Sequence, residues 1–252
     1  MRRIDLPESA RALREGLLGK NCVCAVCGAD VFEREEHFCA RCRAAFPYNA
    51  GFVCSKCGRA VGDDYPVCTE CKNDLPAYER AKSAYRYEGE AVRLIRAFKT
   101  GARYLAEALA ADMAPLLAAF PDAQLLLPVP MTKRAVRRRG YNQAVLLARE
   151  LGGRSGLPVA ETMLLKTRET GVQKTLSRRE RAENLQGSFR VHERALCRGK
   201  AIVVVDDVMT TGATANACAR ALYGAGAGKV YLLTAASVPL RLPGDGQNAE
   251  KR

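Results

Sequence analysis

The sequence predicts an α/β protein: a mainly parallel sheet flanked by helices, with a small cysteine-rich domain in front of it. Three observations carry this expectation. Nine of the eleven cysteines fall between Cys22 and Cys71. From Ala81 onward, short apolar runs alternate with stretches of helical periodicity, the order that builds parallel strands with helices on their faces. Finally, AIVVV runs into Asp206 and Asp207, then TTGAT, then an alanine-rich helix, which is the strand, turn and helix order at which a parallel sheet binds ligands.

The chain has 252 residues, 48% hydrophobic and 27% charged, the balance of a globular protein with room for two unequal domains. The boundaries expected are an N-terminal segment 1–20, a cysteine-rich domain 21–76, an α/β domain 77–240 and a disordered tail 241–252. A formal charge of +13 and a pI of 9.4 favour polyanionic company: nucleic acid, a phosphorylated metabolite or an anionic membrane surface. No apolar run approaches the roughly 18 residues of a spanning helix, and Asp5, Glu8 and Glu15 break any signal-peptide core. A cytoplasmic protein without membrane insertion is expected, and in that reducing compartment clustered cysteines read as metal ligands.

The cysteines form an internal repeat. Cys24, Cys27, Cys39 and Cys42 are followed by Cys54, Cys57, Cys68 and Cys71, with offsets of 30 and 29 residues. Gly28 and Gly58 follow the first pair of each unit, where a metal knuckle needs a residue tolerant of positive φ. Structural Zn²⁺ with four thiolates per site leaves no open position for catalysis and would stabilise a segment too short to bury much core. Sequential pairing within each unit is favoured over an interleaved arrangement, and iron–sulfur ligation is the lesser alternative. Cys22 and His37 read as bystanders.

After Ala81, AKSAYRYEG reads as strand and turn. Ala91, Leu94, Ile95 and Phe98 then recur at helical spacing, and Leu105, Leu109, Met113 and Leu116 make a second helical face. QLLLPVP is a buried strand, YNQAVLLAREL a helix, and TMLLKT and GSFRV are strands flanking a very polar segment. AIVVV and VYLLTAA bracket a helix between Ala213 and Tyr223, closed by glycines at 224, 226 and 228.

Three stretches carry chemistry. In VVVDDVMTTGAT, the amides and hydroxyls of Thr210, Thr211, Gly212, Ala213 and Thr214 open a helix, where unpaired donors and the helix dipole favour a phosphate, while Asp206 and Asp207 face hydroxyls. Neither a Walker A loop nor a GxGxxG turn is present. MTKRAVRRRGYNQ gathers Lys133, Arg134, Arg137, Arg138 and Arg139 without one acid, a set of charge-assisted donors for a polyanion. Residues 166–189 lack apolar periodicity but are rich in cations, as lids and disordered connections are.

The acidic pair with its small-residue loop resembles the 5-phosphoribosyl-1-pyrophosphate (PRPP) signature of type I phosphoribosyltransferases. The CxxC pairs, YEGEAVRLIRAFKTGARYLAEALA, PVP with RRRGYNQA, the TRETGVQ to LQGSF segment and VVVDDVMTTGAT follow the order seen in the ComF (ComFC/GntX-like) competence family. That resemblance implies a double zinc-ribbon-like module joined to a type I phosphoribosyltransferase fold with a hood. It implies a site in which Asp206 and Asp207 hold the ribose hydroxyls, residues 210–214 the 5′-phosphate, and Arg139, Gly140 and Tyr141 the pyrophosphate of Mg²⁺-bound PRPP. Lys166, Arg168, Lys174, Arg178 and Arg181 would belong to a hood loop closing over it. It further implies single-stranded DNA as a partner in natural transformation, met by Arg134, Arg137 and Arg138, and the competence DNA-translocase machinery as a protein partner. Transfer of the phosphoribosyl group to a nucleobase, nucleoside or amine, and PRPP sensing without chemistry, are the other functions the residues allow.

Overall fold

The computed structural model describes residues 23–31, 37–62, 66–168, 185 and 187–240; segment 1–20, Cys22 and the tail 241–252 lie outside them. The cysteine repeat is a structural repeat. An antiparallel bridge, Val23 to Asp30 in the first unit and Val53 to Ala60 in the second, closes each knuckle. In both, the glycine amide donates to the first cysteine's carbonyl, Gly28 to Cys24 at 2.9 Å and Gly58 to Cys54 at 2.8 Å. Both glycines have positive φ, 72° and 66°, as the knuckle requires. Short helices α1 (Ala40–Ala45) and α2 (Thr69–Asn73) start directly after Cys39 and Cys68, and each carries the fourth cysteine of its unit.

Next come β1 (Arg80–Arg86), α3 (Gly89–Lys99), α4 (Leu105–Met113), a 3₁₀ turn Ala114–Ala119 with Pro115 in its first turn, and β2 (Leu125–Pro128). Then come α5 (Lys133–Arg139), α6 (Gln143–Ser155), β3 (Leu164–Lys166), β4 (Phe189–Val191), α7 (Arg194–Cys197), β5 (Ala201–Met209), α8 (Ala213–Gly224) and β6 (Lys229–Ser237). Four strands form a parallel sheet in the order β1-β6-β5-β2, and β3 and β4 pair antiparallel beside it. Both faces are covered, which is why β5 and β6 read as continuous apolar runs rather than alternating ones. Val203, Val205, Leu233 and Ala235 pack toward α3, α4 and α6, while Ile202, Val204, Val230 and Leu232 pack toward α8.

Both sheet edges are occupied. Along β1, the amides of Asn49, Ala81 and Arg86 bond to the carbonyls of Ala84, Lys56 and Pro47, each at 2.8 Å, so the cysteine-rich segment covers the edge that would otherwise invite pairing with another chain. At β2, Leu126 donates to Pro158 and accepts from Ala160, both at 2.9 Å. This close seating predicts a specific sensitivity. A Cβ at Gly58 would lie 2.4 Å from the Ala81 carbonyl oxygen, whereas one at Gly51, also at positive φ, would meet nothing. Gly58→Ala is expected to lose about 3 kcal/mol, roughly 6–12 °C in Tm, against about 1 kcal/mol for Gly51→Ala; equal shifts in thermal melts would refute the clash.

The structure departs from the sequence expectation at two places. β5 does not stop before the acids; it stays paired with β6 as far as Met209 opposite Ser237, so Asp206 and Asp207 belong to the strand. The basic stretch after β2, assigned no element from its sequence, forms helix α5, because the Thr132 hydroxyl caps the Ala135 amide at 3.2 Å and Gly140, at φ 87°, closes the other end.

Candidate functional site

Each cysteine set assembles as four thiols within 4.8 Å of one another, Cys24 with Cys27, Cys39 and Cys42, and Cys54 with Cys57, Cys68 and Cys71. The pairing is therefore sequential. Four sulfurs about 2.3 Å from one Zn²⁺ in a tetrahedron lie about 3.8 Å apart; Cys27 and Cys39 are separated by 3.7 Å, and Cys57 and Cys68 by 3.8 Å. The donor set fits structural zinc. Backbone amides of Cys68 and Cys71 point at the sulfurs of Cys54 and Cys68, at 3.3 and 3.4 Å, which favours thiolates. Hydrogen bonding from Cys57, then from neighbouring amides, holds the Cys54 thiol well below its ordinary range.

At the carboxyl end of the sheet, Asp207 is buried, 8% exposed, and its carboxylate pairs with Lys99 Nζ at 3.1 Å. Asp206 accepts the Asp207 amide at 2.8 Å. Burial, then the charge of Asp207, raises its carboxyl to about 7, against the pull of Lys99 and Lys166. Such a group sits between protonation states near neutral pH. Past the strand, Thr210 and Thr211 lead to Gly212, whose φ of 78° turns the chain into α8 at Ala213. The Thr211 hydroxyl accepts the Ala213 amide at 3.4 Å. Ala213 and Thr214 occupy the first turn of a twelve-residue helix, whose leading amides and dipole suit an anion.

Arg138, Arg139 and Tyr141 line a cavity of about 750 Å³ together with Lys99, Thr100, Gly101 and Arg103. Because Lys99 also holds Asp207, this cationic cavity adjoins the acids. Tyr141 turns inward: its ring is buried, its hydroxyl donates to the Phe98 carbonyl, and it accepts the Gly101 amide at 3.2 Å. Its part in the basic turn is thus to brace the wall formed by residues 98–101. Arg139 is committed to Gln143 at 2.9 Å.

A second cavity of about 1060 Å³ runs between α5 and the β3–β4 pair, with Met131, Val136, Leu146 and Leu164 as apolar lining and Lys133, Arg134, Lys166 and Arg168 among its cations. Arg168 donates to the Ser188 hydroxyl at 3.1 Å. Arg137 is exposed and lines neither of these cavities. Lys174, Arg178 and Arg181 lie outside the described residues. Of the aromatics available for stacking on bases, Tyr78 is buried and Phe52 is exposed.

Sequence reasoning missed three residues. Lys99 and Arg103 sit in AFKTGAR, read there only as the end of a core helix; the cations flanking a Thr-Gly turn were the available signal. Arg103 donates to the Gly140 carbonyl at 3.2 Å and stacks over Tyr141, 4.7 Å from its ring centre. Arg59, directly after the second knuckle, reaches the Thr210 carbonyl at 3.3 Å, a pairing that no local pattern announces.

Comparison with known proteins agrees with this geometry. Residues 135–242 match the family "Phosphoribosyl transferase domain". The chain is 30% identical to the DNA utilization protein YhgH of Escherichia coli (strain K12), over 77% of this chain and 94% of that protein. It is 26% identical to Competence protein F of Haemophilus influenzae, over 79% and 90%, and 28% identical to Competence protein ComFC of Bacillus subtilis (strain 168), over 75% and 78%. A solved glutamine PRPP amidotransferase from B. subtilis superimposes with a TM-score of 0.34 at 20% identity, covering 53% of this chain and 26% of that one, too loosely to add to the argument. Among the described residues no helix is long and apolar enough to cross a membrane. With a YhgH relative matched over nearly its whole length and a phosphoribosyltransferase domain behind two four-cysteine clusters, the chain belongs to the ComF/YhgH competence family.

Proposed function

We propose that the protein binds PRPP with its Mg²⁺ at the carboxyl end of the sheet and handles incoming single-stranded DNA in natural transformation. The observation that carries the PRPP reading is the contiguity of three elements: the acids on β5, the helix-opening loop 210–214 and the cationic cavity joined to the acids through Lys99. Asp206 and Asp207 accept from the ribose hydroxyls, the loop amides and threonines hold the 5′-phosphate, and Lys99, Arg103, Arg138 and Arg139 neutralise the pyrophosphate. Mg²⁺ arrives as part of the substrate, on the pyrophosphate oxygens, and supplies further neutralisation there. Bound zinc supplies structure rather than chemistry. Arg168 of the segment read as a hood adds a further cation on the β3–β4 side; Lys174, Arg178 and Arg181, proposed to act with it, lie outside the described residues.

The Asp206 carboxyl gives this reading a pH signature. A raised acid favours its neutral form in the ligand-free fold, so that contribution to stability is full below about pH 4 and is lost as pH rises through about 7. Ribose hydroxyls donate best to the charged form, so Mg·PRPP affinity is expected to rise about tenfold from pH 6 to pH 8. Calorimetric titrations measure it. Pyrophosphate alone shares the ionising phosphates but not the ribose, and should rise less; parallel slopes would count against Asp206 as the ribose acceptor.

For DNA, the relatives named for competence and DNA utilization and the exposed cations Arg134, Arg137 and Arg138 on α5 support backbone contact. Binding is sequence-neutral and falls with salt, and the competence DNA-translocase machinery is the expected protein partner. Changing all three arginines to glutamine is expected to reduce the slope of log K against log salt by about 2 for single strands; an unchanged slope in fluorescence anisotropy would place the DNA elsewhere.

A second reading, transfer of the phosphoribosyl group, is favoured by the partly apolar 1060 Å³ cavity beside the cations, which has room for an acceptor. A nitrogen nucleophile would bond to the anomeric carbon as the carbon–oxygen bond to pyrophosphate breaks, and Asp206, near neutrality, could take the proton the nucleophile loses. Pyrophosphate release with bases, nucleosides and DNA as acceptors distinguishes transfer from binding alone.

A further inference from the structure

Arg59 is buried, 5% exposed, and a guanidinium in that position needs partners for its donors. It finds two, and the backbone of the same residue supplies a third tie. One nitrogen donates to Glu70 on α2, between Cys68 and Cys71. The residue's own backbone carbonyl accepts the Cys54 amide at 3.0 Å, on the knuckle. Its other terminal nitrogen donates to the carbonyl of Thr210 at 3.3 Å, at the head of the phosphate-binding loop. Arg59 is therefore tied to both halves of the second four-cysteine cluster, through its backbone and through Glu70, and its other guanidinium nitrogen holds the loop.

The surrounding contacts run the same way. Tyr78 donates to the Met209 sulfur at 3.8 Å, and its hydroxyl stands 3.4 Å from where a side chain at Gly212 would begin. The Ala77 amide donates to Asn216 Oδ1 in the first turn of α8 at 2.8 Å. The Leu240 amide donates to the Ala60 carbonyl at 3.1 Å. The first cluster is turned elsewhere, with Arg43 on its helix directed to Tyr48 and to Asp112 of α4.

We propose that Arg59 is a positioning residue through which the second four-cysteine cluster, and not the first, fixes the phosphate-binding loop, so that metal in the second cluster governs ligand binding at the Asp206–Thr214 site. The proposal rests on the PRPP reading of that site. With metal bound, the Cys54–Arg59 corner and α2 are held at a fixed separation, and Arg59 keeps the Thr210 carbonyl turned inward with the following amides directed out. Without it, the two halves part, the Glu70 anchor of Arg59 is lost, and the loop is released.

Full-length protein is compared as native, Arg59→Met, Arg59→Lys and Glu70→Gln, alongside Cys39→Ser in the first cluster and Cys71→Ser in the second. Zinc content, hydrogen exchange of residues 210–214 without ligand and the Kd for Mg·PRPP are read out, with protection of Val203–Val205 reporting that the sheet persists. Arg59→Met is expected to retain two zinc equivalents, to speed loop exchange at least tenfold and to weaken PRPP at least tenfold. Arg59→Lys should restore part of both, and Glu70→Gln should fall between. Cys71→Ser should speed loop exchange and Cys39→Ser should not. Unchanged loop exchange in Arg59→Met, or equal acceleration by the two cysteine variants, overturns the proposal. If Arg59→Met loses sheet protection, Glu70→Gln decides by the same readouts. A native chain that fails to bind PRPP removes the ligand reading, and the exchange comparison still settles whether Arg59 holds the loop.

Discussion

Mg·PRPP titrated into the Asp206→Asn/Asp207→Asn double variant is expected to give no measurable heat where the native chain gives a clear isotherm. In the proposed site each ribose hydroxyl donates to a carboxylate, and hydrogen bonds with one charged partner contribute roughly 1.5–3 kcal/mol. Losing two costs about 3–6 kcal/mol, or at least about a hundredfold in affinity. Asparagine keeps an acceptor oxygen of similar shape but not its charge, so the loss reports electrostatics rather than packing. Pyrophosphate binding should survive, because Lys99, Arg103, Arg138 and Arg139 are untouched and Lys99 is released from its 3.1 Å pairing with Asp207. Thermal stability should hold or rise, since the variant removes two like charges, one of them raised to about 7 by burial and by the other. A native chain without heat, or a double variant with native affinity, would each dismiss the PRPP site.

The second large effect concerns metal. Native protein is expected to carry two zinc equivalents, with Cys24→Ser dropping to one. Structural zinc contributes on the order of 10 kcal/mol in small zinc modules, so exhaustive chelation should melt the cysteine-rich part outright. The damage should spread, because this part supplies the three 2.8 Å backbone bonds between residues 47–56 and β1, and stripping it exposes a sheet edge. Light scattering after chelation should therefore show self-association that restored zinc prevents. A chelated chain that stays monomeric with an unchanged melting profile would show that the clusters are dispensable to the fold.

The comparison of sequence with structure divides by range. The cysteine repeat, the positive φ of Gly28 and Gly58, helix α8 and the buried strands β5 and β6 were all legible, because each depends on spacing or on a residue's own backbone preference. The extent of β5 was not: Asp206 and Asp207 look like a strand end, yet pairing with Thr234 and Ala236 carries the strand through them. Helix α5 was obscured by its five cations, while its cap, Thr132, and its stop, Gly140, were in view. Lys99 and Arg59 were illegible for a different reason. Their partners, Asp207 and Thr210, lie more than a hundred residues downstream, and nothing local records so distant a pairing. Tyr141 is a shorter-range case, its hydroxyl taken by Phe98 and Gly101, 43 and 40 residues upstream.

The sheet order has a consequence for how the protein comes into being. β6 is made last of the described strands, yet it lies between β1 and β5. During synthesis at roughly 5–20 residues per second, β1 leaves the ribosome on the order of ten seconds before the strand that must lie against it. For that interval the cysteine-rich unit is, among the described residues, what can occupy the backbone edge of β1, so prompt metal capture doubles as a nascent-chain safeguard. The acids face the same delay, because Asp206 has no cross-strand neighbour on the β6 side until Thr234 is translated. The candidate ligand site is thus completed only once β6 has been made, well after both cysteine clusters have left the ribosome.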